Sequence, residues 1–412
     1  MQEEILLNIG SPRQLETLYR RNRSAFKANF DALYPQLTGN LLAQAWHQRL
    51  NHSADASSWG TPPERLFVVV ASLLAALLAK LPEILSLNEA DYFIRNVGFI
   101  VFPFLIAWFA WKNRISPKTG MWLAGFMLMA AWFINTLPRT QPSDTLILSC
   151  LHLPLCLWWL LGVAFSGGTL RNNLSWPGFL RYNGELAVLT AVLLLAGGLT
   201  SGLTIALFQL IGWRIQPFYF TYVVVCGLAA VPIAGTFLTQ TQPTLVSGVA
   251  PVIAKLFSPL ALIMLVVYLA AMVFFGKNPY QDREFLLLFN ALLIGVMALI
   301  FFSVAETTPT NRAQLVMLSL LAIVTVVVNG IALSAILFRI STWGLTPNRA
   351  AVLGANMLML SHLIYIGARL IRVLAQRTGL SAVSRSLALF LPFYAAWSGI
   401  VTFLFPLLFG FR

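Results

Sequence analysis

The sequence predicts an all-α protein, a polytopic bundle of about eleven transmembrane helices that follows a short cytoplasmic N-terminal helical segment. Two observations predict this class. Of the 412 residues, 58% are hydrophobic and only 10% are charged, which is far from the proportions of soluble domains. From Leu66 to Phe411 the chain is a series of apolar runs of helix length, separated by short polar loops. We therefore expect a helical segment with a linker at residues 1–63 and a transmembrane domain at residues 64–412.

The N-terminal segment contains the signals of helices with one apolar face. Ser11 and Pro12 form a typical helix start, and apolar residues then recur at helical spacing. A second short helix is predicted at 41–50, and the Ser-, Ala- and Pro-rich stretch 51–63 is typical of a linker. Because two short helices bury little surface alone, we expect residues 1–50 to lie on the membrane face, to pack against inner loops or to bind a cytoplasmic protein.

The transmembrane spans follow from the thickness of the bilayer. A hydrocarbon core of about 30 Å needs roughly 20 helical residues to cross, and this length selects eleven candidates. The spans are 66–85, 97–111, 121–137, 146–165, 186–212, 218–238, 252–276, 285–305, 315–337, 350–368 and 387–409. Lys and Arg are more frequent in the N-terminal segment and the predicted inner loops than in the outer loops, which favours a cytoplasmic N-terminus. The net charge of +13 has this origin, so we expect the lipid bilayer, and not nucleic acid, to be the partner of the basic residues.

Motifs for enzyme chemistry are scarce in this chain. The sequence contains no phosphate-binding glycine loop, no nucleophile elbow and no pair of carboxylates inside the predicted spans. Cys150, His152 and Cys156 share a span, but their spacing points them in different directions around a helix, whereas metal ligands must converge. We therefore expect no metal and no cofactor, and an enzyme is disfavoured.

Polar residues inside the ninth and tenth spans form a candidate polar path. An ionised group in a span costs about 2.5–3.5 kcal/mol, so such groups are default functional candidates. His362, Tyr365 and Arg369 share one face of the tenth span, with His362 about 10 Å deeper than Arg369. Asn329 in the ninth span and Asn356 in the tenth add buried amides that need partners. The alternative is a basic anchor whose histidine is bonded to a neighbouring helix.

Two further positions extend the predicted path. Thr200 and Ser201 lie among glycines in the fifth span, a composition typical of a helix that unwinds around a ligand or packs closely against another helix. Lys255, near the start of the seventh span, either extends to the inner face or adds a charge to the path.

The loop between the ninth and tenth spans, from Arg339 to Arg349, reads RISTWGLTPNR. It resembles the most recognisable segment of a bacterial family of multi-pass membrane proteins catalogued as a domain of unknown function, in which Arg-Ile, an aromatic-Gly-Leu-Thr and Asn-Arg occur in this order. The similarity covers about residues 252–366, and it implies a location in the bacterial inner membrane. Thr346 also fits a helix N-cap. Arg339 and Arg349 are candidates to contact an anionic headgroup or substrate, although anchoring of the loop explains them equally well.

Three functions are compatible with these features. A transporter or permease for a small-molecule substrate, with its polar path near the fifth, ninth and tenth spans, is favoured. The alternatives are a membrane scaffold or sensor that signals through its N-terminal cytoplasmic helices and an intramembrane enzyme that modifies lipids. We expect a transporter to show a water-accessible cavity that reaches Asn329, Asn356 or His362. In a scaffold we expect these residues to be buried without access to water.

Overall fold

The computed structural model describes residues 1–51, 59–138, 143–168, 175–243, 249–274, 280, 283–306, 312–376 and 380–411. Within these ranges the side chains of 23–24, 51, 249–255, 271–273, 283–289, 305–306, 380–382 and 384–385 are outside the description. The described residues form helices and no strand, which confirms the all-α prediction. They divide into two units, Met1–Thr61 and Pro62–Arg412.

The N-terminal unit contains four helices, which are α1 (Gln2–Leu7), α2 (Pro12–Arg21), α3 (Arg23–Leu33) and α4 (Leu41–Asn51). The start at Ser11 and Pro12 is as predicted, but α1 was not predicted, and the helix after Pro12 is interrupted at Asn22. The backbone of Asn22 is extended, with φ of −155°, and its side-chain oxygen accepts a hydrogen bond from the Ala25 amide at 3.0 Å. Asparagine is a favoured N-cap because it satisfies an N–H that the helix leaves unpaired. A new helix therefore begins there.

Aromatic side chains fill the core of the N-terminal unit. Phe26, Phe30 and Trp46 are buried, and the Trp46 ring lies 5.3 Å from Phe26 and 5.6 Å from Tyr19, measured between centroids. The apolar faces of α2, α3 and α4 thus cover one another. The location of this unit on the membrane face stays a prediction.

The second unit contains the apolar helices. These are α5 (Pro62–Ile84), α6 (Glu89–Lys112), α7 (Pro117–Thr136), α8 (Asp144–Phe165), α9 (Trp176–Leu210), α10 (Gln216–Thr241), α11 (Val249–Phe274), α12 (Arg283–Glu306), α13 (Arg312–Trp343), α14 (Pro347–Leu374), α15 (Leu380–Leu389) and α16 (391–408). Each of the eleven predicted spans falls on these helices, and α15 and α16 share the last.

Eight helices of the described part of the chain are long and apolar enough to cross a membrane, so the chain is a helical membrane protein. The other three predicted spans are not among these eight helices, for two different reasons. Helix α7 has 20 residues but is less apolar. The described apolar stretches of α11 and α12 are the shorter segments Leu256–Ala270 and Asn290–Val304.

The two largest apolar cores among the described residues of the second unit lie on different sets of helices. The first is built around α6 and α8 and includes Trp108 and Leu157, whereas the second joins α11 to α15 and includes Ile300 and Leu363. The helices α9 and α12 approach closely at Gly184, where the Phe302 ring lies 1.5 Å from the position that a Cβ atom would take. Only glycine allows this contact, because any larger side chain would occupy the same space as the ring.

Two π-helical turns interrupt the long helices, at Tyr219–Val224 in α10 and at Ile400–Leu404 in α16. The second turn is stabilised from outside its own helix, since the Ser149 hydroxyl of α8 donates a hydrogen bond to the Thr402 carbonyl at 2.8 Å. Such turns alter the regular backbone bonding and are frequent at functional positions.

Candidate functional site

The central polar residues of the predicted path lie on α13 and α14, which are joined by a short turn and pack against each other extensively. The Ala322 Cβ atom lies 3.8 Å from the position that a Gly367 Cβ atom would take, which defines the register of the two helices. At about 1.5 Å per residue in antiparallel helices, Asn329 is then at a level about 3 Å from that of His362 and about 6 Å from that of Asn356. These three residues, which we call the polar centre, therefore lie at similar levels of the bundle interior.

Asn329 is fully buried, with 0% exposure. Neither its side-chain oxygen nor its side-chain nitrogen has a hydrogen-bond partner among the described residues. A buried polar atom without a partner lowers the stability of the folded protein by about 1–3 kcal/mol, so burial of the Asn329 side chain is destabilising.

Asn356 is also fully buried and has one interhelical partner. Its Nδ2 atom donates to the side-chain oxygen of Asn290 on α12 at 2.9 Å. Its Oδ1 atom has no partner among the described residues, which leaves a hydrogen-bond acceptor at the polar centre.

His362 completes the polar centre and has the clearest chemistry. Its Nδ1 atom lies 3.3 Å from the hydroxyl of Tyr394 on α16, and that hydroxyl donates to the sulfur of Met297 at 3.6 Å. At Nδ1 the imidazole either donates to this hydroxyl or accepts from it, according to its tautomer. The Nε2 atom of the ring is buried without a partner among the described residues. The ring lies 4.3 Å from Phe390 and 4.5 Å from Phe301.

Tyr365 and Arg369 continue the same face of α14 toward its C-terminal end. The Arg369 guanidinium donates to the Tyr365 hydroxyl at 2.9 Å and lies 5.2 Å from the ring centroid. Both side chains are partly exposed, whereas His362 is not. The stripe thus leads from an accessible charge to a buried imidazole.

The structure does not bring Thr200 and Ser201 to the polar centre. From residue 191 to residue 210 no residue of α9 is buried, and a Cβ atom on Gly198 would meet nothing within 4 Å. The Thr200 hydroxyl donates to the Ala196 carbonyl of its own helix at 2.8 Å. The side chain of Lys255 lies outside the described residues. The polar centre is therefore built without the fifth span.

The two loop arginines have local structural partners. Arg349 donates to the carbonyls of Trp343 and Gly344 at 3.0 and 2.7 Å, and so caps the C-terminal end of α13. Arg339 donates to the Tyr280 carbonyl at 3.1 Å. Thr346 caps α14 as predicted, since its hydroxyl accepts from the Arg349 amide at 3.3 Å. These contacts account for the two arginines by anchoring.

The sequence analysis missed a buried arginine at the start of α6. Arg95 was assigned to a loop, yet its side chain is 2% exposed and donates to Asp91 at 3.1 Å. It also donates to the carbonyls of Ile134 and Leu137 at 2.6 and 3.0 Å, at the C-terminal end of α7. A cation at a helix C-terminus is favourable because the last carbonyls lack helical partners. The acidic residue four positions before Arg95 was the only sequence signal.

Other predicted polar residues form structural contacts. Lys80 and Glu83, near the end of α5, form an ion pair, and the Tyr222 hydroxyl of α10 also donates to Glu83 at 2.6 Å. His152 lies 2.9 Å, at Nδ1, from the Leu148 carbonyl of its own helix.

A cavity of about 460 Å³ lies between α2 and α4 in the N-terminal unit. Its lining is formed by Pro12, Arg13, Glu16, Leu42, Ala45, Trp46 and Arg49. Glu16 accepts hydrogen bonds from Arg20 and Arg49, both at 2.8 Å. These hydrogen bonds, from Arg20 first and then from Arg49, hold the pKa of the Glu16 carboxyl below its usual range.

Comparisons of the chain with family models, with curated proteins and with solved structures found no match. The resemblance of the 339–349 loop thus stays a prediction, and the functional argument depends on the geometry of this chain.

Proposed function

We propose that this membrane protein is a transporter-like protein in which a small polar molecule or ion passes through the polar centre of Asn329, Asn356 and His362. The observation that carries this proposal is Asn329, which is fully buried while both polar atoms of its side chain lack partners among the described residues. A residue that exists only to pack helices gains nothing from such atoms. A residue that binds a passing solute needs them.

The burial of the polar centre away from water must be compatible with this proposal. All three side chains are 0% exposed, as the scaffold hypothesis predicts. A scaffold, however, gives no reason for four unpaired atoms at similar levels of the interior, which are Asn329 Oδ1 and Nδ2, Asn356 Oδ1 and His362 Nε2. An occluded state of a transporter accounts for both the dryness and the unpaired atoms, because the solute that supplies their partners enters only when the helices separate.

The proposed location is the bacterial inner membrane, with the N-terminus in the cytoplasm. The excess of Lys and Arg in the N-terminal segment and the predicted inner loops supports this orientation. The resemblance of the 339–349 loop supports the bacterial location. Fusion of a periplasm-active reporter to the N-terminus tests the orientation, and activity of that reporter would contradict it.

Solvent access to position 329 tests the transport proposal. We expect a cysteine at 329, in a chain whose native cysteines are replaced by alanine, to react with a membrane-impermeant methanethiosulfonate in lipid nanodiscs. The matched control is Leu318→Cys, since Leu318 lies on the same helix, is equally buried and belongs to the apolar core. Labelling of position 329 at the background rate of position 318, under every condition tried, refutes the proposal.

A scaffold or sensor role is the second candidate, and the N-terminal unit favours it. This unit has its own aromatic core and a cavity with apolar walls and arginines at its rim. Arginine with an exposed apolar surface suits a protein segment that carries carboxylates. A photocrosslinking residue in place of Ala45, inside the cavity, is expected to capture a discrete protein in cells, whereas the same residue in place of exposed Gln48 is not. Equal capture at both positions would contradict this role.

No contact among the described residues favours an intramembrane lipid-modifying enzyme over these two functions.

A further inference from the structure

We propose that the cavity between α2 and α4 of the N-terminal unit, which we call the α2–α4 groove, binds an acidic amphipathic helix of a partner protein. This inference rests on the scaffold or sensor role, the second candidate function, and it names the chemistry of the partner. It does not depend on the polar centre or on transport.

Two helix faces form the walls of the α2–α4 groove, which has a volume of about 460 Å³. Helix α4 contributes the larger wall, with Leu42, Ala45, Trp46 and Arg49. These positions follow the i, i+3, i+4, i+7 spacing of one helix stripe, so they extend over about 10 Å at 1.5 Å per residue. A stripe of this length beside a second helix matches about two turns of a third helix, as in helix-in-groove recognition.

The surface of the groove is largely apolar and is formed before a partner binds. Pro12, Leu42 and Ala45 line it, and Trp46 behind them is only 4% exposed. The Trp46 ring is held by Tyr19 and by the aromatic core of the unit. A preformed apolar surface binds apolar side chains without the entropy cost of ordering its own. The partner is therefore expected to present an apolar face.

The charges around the groove determine what flanks that apolar face. Arg20 and Arg49 each donate to the Glu16 carboxylate at 2.8 Å. Arg13 lines the same groove, is exposed and forms no ion pair among the described residues. Three guanidinium groups thus lie near one carboxylate, and each is a fork of N–H donors that suits a carboxylate. This excess of positive charge favours a helix with carboxylates beside its apolar face.

Glu16 competes with the partner for Arg49. Its side chain is 27% exposed and lines the groove, so it occupies a position that a partner carboxylate needs on that guanidinium. Like charges at this distance repel each other, and loss of the Glu16 charge therefore strengthens the binding of an acidic partner. Arg13 is available without such an exchange, so it makes the first ion pair with the partner.

A photoreactive peptide tests the inference on the full chain in nanodiscs of phosphatidylcholine. The probe is a blocked peptide of about three helical turns, with leucines on one face, glutamates on both sides of that face and photoleucine at its centre. The matched control peptide has glutamine in place of each glutamate. We expect the glutamate peptide to form adducts at Leu42 or Ala45, mapped by mass spectrometry, and the glutamine peptide to bind at least about fivefold more weakly.

Charge variants of the protein separate a contact in the groove from general attraction. Arg13→Gln is expected to weaken binding of the glutamate peptide about two- to fivefold, the range for an exposed ion pair. Arg21→Gln removes the same charge from the same helix outside the groove, and it is expected to retain the affinity. Glu16→Gln is expected to strengthen binding by a similar factor, a gain that unfolding of the variant cannot produce.

The outcomes distinguish this inference from the scaffold role itself. Equal binding of the two peptides, or equal effects of Arg13→Gln and Arg21→Gln, overturns the acidic partner, and weaker binding in Glu16→Gln overturns the competition. Adducts only with lipid or with residues outside the groove overturn the groove as the docking site. In each of these cases, capture of a discrete protein at position 45 in cells leaves the scaffold role in place. Absence of both that capture and the peptide adducts overturns the two together.

Discussion

Replacing Asn329 with leucine is expected to stabilise the ligand-free protein. Leucine has the same branched shape as asparagine, and the change removes two buried polar atoms that have no partner among the described residues. At about 1–3 kcal/mol for each unsatisfied atom, their removal is worth about 4 kcal/mol at the centre of the range. The larger side chain overpacks an enclosed site, which costs about 2 kcal/mol. The expected net gain is therefore about 2 kcal/mol, together with loss of transport.

Thermal unfolding, followed by tryptophan fluorescence in detergent at one scan rate, measures this effect. Equal scan rates are needed because membrane proteins often unfold irreversibly. The matched control is Asn96→Leu, since Asn96 is also buried but forms two amide hydrogen bonds with Asn135, at 3.0 and 2.8 Å. Its loss should lower stability by about 1–2 kcal/mol. If Asn329→Leu lowers Tm as the control does, Asn329 has partners and the reasoning behind the polar centre is wrong.

Three further predictions follow from contacts elsewhere in the chain. Arg95→Ala should destabilise the protein by about 1–3 kcal/mol in thermal unfolding, because it leaves the carbonyls of Ile134 and Leu137 at the end of α7 without this donor, and an unchanged Tm would contradict this. Gly184→Ala should cost about 1–3 kcal/mol or more, since Phe302 occupies the space of the new methyl group, while the control Gly198→Ala should be nearly neutral. Below the ordinary Glu pKa of 4.5, the N-terminal unit should lose the stability supplied by ionised Glu16, seen as faster hydrogen exchange in residues 1–51, and Glu16→Gln should remove this pH step.

The positions of the helices could be predicted because a bilayer imposes a minimum apolar length. All eleven predicted spans fall on helices, and α14 begins where Thr346 and Pro347 signal it. The break at Asn22 could not be predicted, since the apolar periodicity continues through it and asparagine is tolerated inside helices. Its capping bond to Ala25 depends on backbone geometry that periodicity does not contain. Local signals therefore locate helices better than they locate interruptions.

The candidate site could be predicted only in part, because a sequence shows which residues enter the membrane and not which neighbours they meet. Thr200 and Asn329 are equivalent in the sequence as polar residues within apolar spans. In the structure the first lies on an exposed face, and the second is fully buried. The ring and hydroxyl that surround His362 come from Phe390 and Tyr394, about thirty positions later in the chain. Such partners are set by helix packing, which hydrophobicity alone does not specify.

The uncovered half of α9 has a consequence for how the protein responds to its lipids. No side chain of residues 191–210 is buried, and none belongs to either of the two main cores, so this half can tilt without breaking contacts in them. At 1.5 Å per residue the 35-residue helix is about 52 Å long, well beyond a hydrocarbon thickness of about 30 Å. Acyl chains of different length will thus be accommodated by the inclination of this helix, while Asn329, Asn356 and His362 keep their depth. The bundle interior is in this way insulated from changes in membrane thickness.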